Sequence, residues 1–162
     1  MTKVMFVCLG NICRSPLAEA IFKHKVKNRG LDDVLWADSA GTSDYHIGEP
    51  PDSRTVRNAL KNGVTVDHRG QQLTVKHLDE YDYIFAMDSQ NHASIQRLVN
   101  GRRIRAKIDL IRSFDPLSPG GEVPDPYYGG ERGFQEVFEM LDRSIEKLID
   151  YLVEENGIRT GT

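Results

Sequence analysis

The chain has 162 residues, 39% of them hydrophobic and 28% charged, which is the make-up of a globular protein long enough to bury a proper core. A formal net charge of −3 speaks against nucleic acid as an obligate partner, and no apolar run approaches the length of a membrane span. The N-terminus lacks a secretory-signal pattern and two cysteines cannot build a disulfide framework, so a reducing cytoplasm is the expected compartment.

Strands and helices alternate along the chain. Residues 4–7 are a short apolar run that reads as a buried strand, and Pro16 suits the first position of a helix. Leu17, Ala18, Ile21, Phe22 and Val26 then recur at helical spacing, with Gly30 as the stop. Residues 34–37 predict a second strand that runs into the polar turn Ser39-Ala40-Gly41-Thr42. Pro50, Pro51 and Asp52 open a second helix carrying Val56, Ala59 and Leu60 on its apolar stripe, closed by Asn62-Gly63. Residues 83–87 give a third strand, Asp88-Ser89 the cap of a third helix with Ile95, Leu98 and Val99, and residues 108–111 a fourth strand. Arg102, Arg103, Arg105 and Lys107, the one dense basic cluster, read as a solvated face before that strand. A loop rich in Pro, Gly and Asp follows over 113–133. Last comes the clearest amphipathic helix, with Phe134, Val137, Phe138, Leu141, Ile145, Leu148 and Leu152 on one stripe. Residues 157–162 are expected to fray.

This order predicts an α/β fold. A central four-stranded parallel twisted sheet carries helices on both faces, a Rossmann-like or flavodoxin-like three-layer sandwich, in one domain spanning 1–162. The functional crevice of such a fold lies at the carboxyl ends of its strands, and Cys8 stands at one of them.

Cys8-Leu9-Gly10-Asn11-Ile12-Cys13-Arg14-Ser15-Pro16 lies between a strand end and a helix N-terminus, where unpaired N–H groups and the helix dipole favour an anion. Gly10 and Asn11 allow a tight curl with backbone N–H groups turned inward. Arg14 has the planar fork that matches two phosphate oxygens, and a loop of this kind favours the thiolate of a cysteine placed in it. Zinc is not expected, because Cys8 and Cys13 have no second Cys or His pair at ligand spacing, and the five histidines are scattered. The loop fits neither the nucleotide-binding nor the dinucleotide-binding glycine pattern.

This segment resembles the signature loop of the low-molecular-weight protein tyrosine phosphatases. Ser39-Ala40-Gly41-Thr42, Met87-Asp88 and Asp125-Pro126-Tyr127-Tyr128-Gly129 agree with that family in order, so the resemblance spans nearly the whole chain. It implies hydrolysis of phosphotyrosine and small aryl phosphates, with Cys8 as nucleophile, Arg14 as oxyanion clamp and Asp125 as general acid and base, and with no metal or other cofactor. Leu9, Gly10, Asn11, Ile12, Cys13, Arg14 and Ser15 would bind the phosphate. Tyr45, Tyr127 and Tyr128 would wall the substrate, and Asn11, Ser15, Ser39, His68 and Asp88 would hold the loop in shape. Cys13 would be a redox partner of Cys8. Asp115-Pro116 repeats the Asp-Pro dipeptide and competes with Asp125 on local pattern alone.

Implied partners are phosphotyrosine proteins as substrates and inorganic phosphate or vanadate as inhibitors, with neither nucleic acid nor membrane, for a monomer open to weak self-association. Arsenate reduction would need further cysteines to relay a disulfide. A phosphoarginine phosphatase by resemblance carries threonine where this chain has Ile12. A catalytically dead phospho-ligand module would lack Cys8, Arg14 or Asp125, and all three are present.

Overall fold

The computed structural model describes residues 1–127 and 129–160. Strands β1 (Thr2–Cys8), β2 (Leu35–Gly41), β3 (Tyr83–Ala86) and β4 (Lys107–Leu110) form one all-parallel sheet in the order β2-β1-β3-β4. Helices α1 (Arg14–Asn28), α2 (Ser53–Lys61), α3 (Val75–Glu80), α4 (Ser89–Val99) and α5 (Gly130–Glu155) connect and flank it. The chain leaves β1 for β2 on one side and later returns to β3 on the other. The crevice of such a sheet therefore lies beyond the carboxyl end of β1, where Cys8 sits opposite Gly41.

The period of two along β1 divides the core. Val4 and Phe6 pack into one cluster with Ile21 and Phe22 of α1 and Leu141, Ile145 and Leu148 of α5. Met5 and Val7 face a second cluster with Leu78 of α3 and Ile95 and Val99 of α4. Helices thus cover both faces of the sheet, as the element order predicts.

Several boundaries differ from expectation for physical reasons. The strand predicted over 34–37 runs on to Gly41, because Ser39, Ala40 and Gly41 pair with Phe6, Val7 and Cys8 instead of turning. A Cβ at Gly41 would stand 2.8 Å from the carbonyl oxygen of Leu9, so only glycine lets the two chains approach this closely. Helix α1 begins at Arg14, which puts Pro16 third in the helix; its missing N–H is one that has no intrahelical acceptor in any case. Leu60 is exposed, since α2 buries Thr55, Asn58 and Ala59 instead. Helix α3 has no sequence periodicity to announce it: six residues bury Leu78 alone, started by Thr74, whose N–H donates to His77 Nδ1 at 2.9 Å. Helix α5 starts at Gly130 and so shortens the loop predicted over 113–133, while a 3-10 turn, Ile111–Phe114, follows β4. The Arg102–Lys107 segment is largely solvated: Arg102 caps the last carbonyls of α4, and Arg105 pairs with Asp82 at 2.8 Å.

Candidate active site

The loop from Cys8 to Ser15 curls at the end of β1 because Asn11 takes a left-handed backbone, φ 58°, which Asn tolerates better than most residues. That curl aims the Asn11 N–H at Cys8 Sγ, 3.3 Å away, while Ser15 Oγ stands 3.0 Å from the same sulfur. Cys8 itself is buried.

The Asn11 side chain holds the curl. Its Nδ2 donates to Ser15 Oγ at 2.8 Å and to Ser39 Oγ at 3.0 Å, and its Oδ1 accepts from the Gln71 N–H at 2.9 Å. His68 Nε2 lies 2.7 Å from the same Oδ1, and His68 Nδ1 lies 3.1 Å from Glu19 Oε1. Ser39 donates to Glu19 at 2.7 Å. Burial alone would push the Glu19 carboxyl up, but its bonds with His68, Lys23 and Ser39 outweigh burial and hold its pKa below the usual range. Glu19, Asp38 and His68 bring three potential ligand atoms within 4.8 Å of one another, yet each is committed to this network.

Arg14 is buried, with Nη1 donating to Asp88 Oδ2 at 2.7 Å and to the Val123 carbonyl at 3.0 Å. Among the described residues, those bonds leave Nε and Nη2 without a protein acceptor. Burial would lower the Arg14 pKa, but electrostatic interaction with the Cys8 side chain, the hydrogen bond and charge of Asp88, and Asp125 raise it, so the guanidinium keeps its charge. Asp88 serves twice: Oδ2 holds Arg14, and Oδ1 accepts the Asn91 N–H at 2.7 Å to cap α4.

One cleft, of about 90 Å³, is lined by Cys8, Leu9, Gly10, Ile12, Cys13 and Arg14 at its base and by Tyr45, His46, Asp125 and Tyr127 at its walls. Asp125 is exposed and accepts the Tyr127 N–H at 3.0 Å. Asp115 is different in kind. It is fully buried, with Arg112 Nε, Arg143 Nε and the Leu117 N–H each 2.9 Å from its oxygens. Burial would raise its pKa, but Arg143, Leu117 and Arg112 together pull it down to about 2. Of the two Asp-Pro aspartates, only Asp125 faces the cleft. Tyr128 lies outside the described residues.

Cys13 is buried at the start of α1, and burial, opposed by a hydrogen bond with Thr55, pushes its thiol up to about 12. Three residues that sequence reasoning missed also shape the site. Glu19 anchors the Ser39–His68 network; a charged residue one turn after Ser15, amid Leu17, Ala18, Ile21 and Phe22, is its signal in the sequence. His46 lines the cleft and pairs with Glu49. Arg54 donates to the Tyr127 carbonyl at 2.7 Å and lays its guanidinium 4.9 Å from the Tyr127 ring centre. Its helix is tied to the loop by the Asp52 N–H, which donates to the Ile12 carbonyl at 2.8 Å.

Residues 3–157 match the sequence pattern of the family described as low molecular weight phosphotyrosine protein phosphatase. A low molecular weight protein-tyrosine-phosphatase of Streptomyces coelicolor is 42% identical over 149 residues, 91% of each chain. A protein tyrosine phosphatase of Entamoeba histolytica, solved as a product-state mimic, superposes with a TM-score of 0.88 at 39% identity, covering 95% of this chain and 97% of that one. A Drosophila arginine phosphatase superposes with a TM-score of 0.85 at 32% identity, over 93% and 97% of the two chains.

Proposed function

The chain belongs to the low molecular weight phosphotyrosine protein phosphatase family and is a protein-tyrosine phosphatase; on that footing we propose that it cleaves phosphotyrosine and small aryl phosphates in two steps on Cys8. The observation that carries the reading is the single cleft onto which Cys8, Arg14 and Asp125 all open.

In the first step the Cys8 thiolate attacks phosphorus in line. An S–P bond forms as the P–O bond to the aryl group breaks, and Asp125 gives its proton to the departing phenolate. The backbone N–H groups of the loop and the free N–H groups of Arg14 meet the equatorial oxygens as charge spreads over them. In the second step Asp125 takes a proton from water, the water oxygen attacks phosphorus, and the S–P bond breaks. Ser15 Oγ accepts from Asn11, so its own hydrogen is left to donate to the departing sulfur. Side chains and backbone of the chain fill every role, without a metal. Tyr45 and Tyr127 flank the aryl ring, and the apolar side chain of Ile12 at the base suits a flat phenyl ring better than guanidinium. Inorganic phosphate and vanadate would occupy the same loop as product and transition-state mimic.

Cys13 is assigned as the partner of an oxidised Cys8. Peroxide converts the Cys8 thiolate to a sulfenic acid, and the Cys13 thiol condenses with it, releasing water and closing a disulfide. Because Cys13 is held up to about 12, closure should quicken as pH rises. Mass spectrometry after mild peroxide checks it; a lasting Cys8 sulfinic acid with no bridge rejects the role. Two free cysteines agree with a cytoplasmic setting.

The test of the whole reading is p-nitrophenyl phosphate hydrolysis with vanadate and with a chelator. Turnover should be blocked by vanadate, survive chelation and vanish in Cys8→Ser. Turnover stopped by the chelator and indifferent to vanadate would overturn the mechanism.

A further inference from the structure

A second cleft, of about 240 Å³, opens between α2 and the start of α5, lined by Arg54, Arg57, Asn58, Lys61, Glu131 and Phe134. The four α2 residues are spaced i, i+3, i+4 and i+7, so one helical face turns three cations and an amide toward it. It adjoins the Cys8 cleft through one shared partition: the Arg54 guanidinium lies 4.9 Å from the Tyr127 ring centre and 4.8 Å from that of Phe134. None of Arg57, Asn58 and Lys61 is used by the chemistry at Cys8.

The cations are not equally committed. Arg54 is held by Asp52 at 2.8 Å, and Lys61 pairs with Glu131. Arg57 is exposed and, among the described residues, has no ion-pair partner. Independently, Asn58 is buried with Nδ2 donating to Gln135 Oε1 at 3.0 Å, while its Oδ1 has no hydrogen-bond partner. A side-chain oxygen left without a partner is uncommon in a folded chain, and this one belongs to a residue lining the cleft. The N-terminus of α5 adds positive potential at the same edge.

We propose that this cleft is a specificity subsite for acidic side chains of the phosphotyrosine substrate. With the phosphotyrosine in the Cys8 cleft, a carboxylate nearby in the same peptide pairs with Arg57 and Lys61. Glu131 acts as the competing internal carboxylate. Lys61 and Glu131 are both largely exposed, so their pair is weak and an incoming acid can displace it. The proposal rests on the phosphatase reading above, and its test separates the two.

Two matched phosphotyrosine peptides, one flanked by Glu and one by Gln, are compared with p-nitrophenyl phosphate, which has no flanks. At low salt the Glu peptide should show a KM lower by about threefold, the scale of an exposed ion pair. Arg57→Gln should erase that difference and leave p-nitrophenyl phosphate turnover unchanged, whereas Glu131→Gln should widen it. Added salt should close it. Equal KM values in the wild type, or a difference that survives Arg57→Gln, would overturn the subsite. Absent p-nitrophenyl phosphate turnover would strike the phosphatase reading instead, and peptide binding by the Cys8→Ser chain then reads the subsite alone.

Discussion

Cys8 Sγ and Ser15 Oγ lie 3.0 Å apart in the buried base of the loop, and the serine oxygen already accepts a hydrogen bond from Asn11. The hydroxyl hydrogen of Ser15 is therefore free to donate to the sulfur, where negative charge builds in the proposed second step as the S–P bond breaks. Ser15→Ala should slow that second step, and a hydrogen bond to a charged group, worth about 1.5–3 kcal/mol, corresponds to roughly ten- to a hundredfold. Rapid-mixing assays with p-nitrophenyl phosphate should show a burst of nitrophenolate followed by a slower steady rate. A proportional fall in burst and steady rates would place the hydroxyl in the first step instead.

Asp125 is exposed at the wall of the Cys8 cleft, the position that its proposed role as acid and base requires. Asp125→Asn removes the transferable proton while preserving shape. The loss in kcat/KM should be about a hundredfold or more for phenyl phosphate, whose leaving group needs protonation, and much smaller for p-nitrophenyl phosphate. Equal losses for both substrates would remove Asp125 from proton transfer.

Asp115 belongs to stability. Its pKa falls from 3.8 to about 2 on folding, so it contributes stability that is full above pH 4 and is lost as pH falls through 2. That shift corresponds to about 2 kcal/mol. Asp115→Ala also leaves the buried Arg112 without its carboxylate, and the total cost should be about 3 kcal/mol near neutral pH. Urea unfolding of wild type and variant should show the gap narrowing as pH drops from about 5 to about 2. A gap that stays constant across that range would assign the loss to packing alone.

What the sequence discloses follows from how local its signals are. The loop from Cys8 to Ser15 was legible because its chemistry is packed into consecutive residues, and the long apolar stripe of α5 because its periodicity repeats over many turns. Ser39, Ala40 and Gly41 looked like a turn because small polar residues form turns when solvated. Here they are buried strand residues, and that burial comes from β1 and from the loop packed on them. Glu19 was hidden for the converse reason: a glutamate in a helix reads as solvent-facing unless its distant partners, Ser39 and His68, are known. Asp125 is preferred over Asp115 in the sequence only through the family resemblance and the tyrosines that follow it; the structure adds the physical difference, Asp115 buried between two arginines and Asp125 exposed at the cleft.

Asn11 combines two demands that substitution can separate. Its left-handed backbone favours glycine over alanine by about 1 kcal/mol or slightly more. Its side chain ties together Ser15, Ser39, His68 and the Gln71 N–H, none of which glycine can satisfy. Both Asn11→Gly and Asn11→Ala should lower kcat, because Ser15 loses the bond that holds its oxygen beside Cys8. Only the alanine variant carries the added backbone strain, so its denaturation midpoint should fall further than that of glycine with the same m-value. If glycine restored wild-type turnover, the position would supply curvature alone, and the hydrogen-bond network from Glu19 to Cys8 would have no part in catalysis.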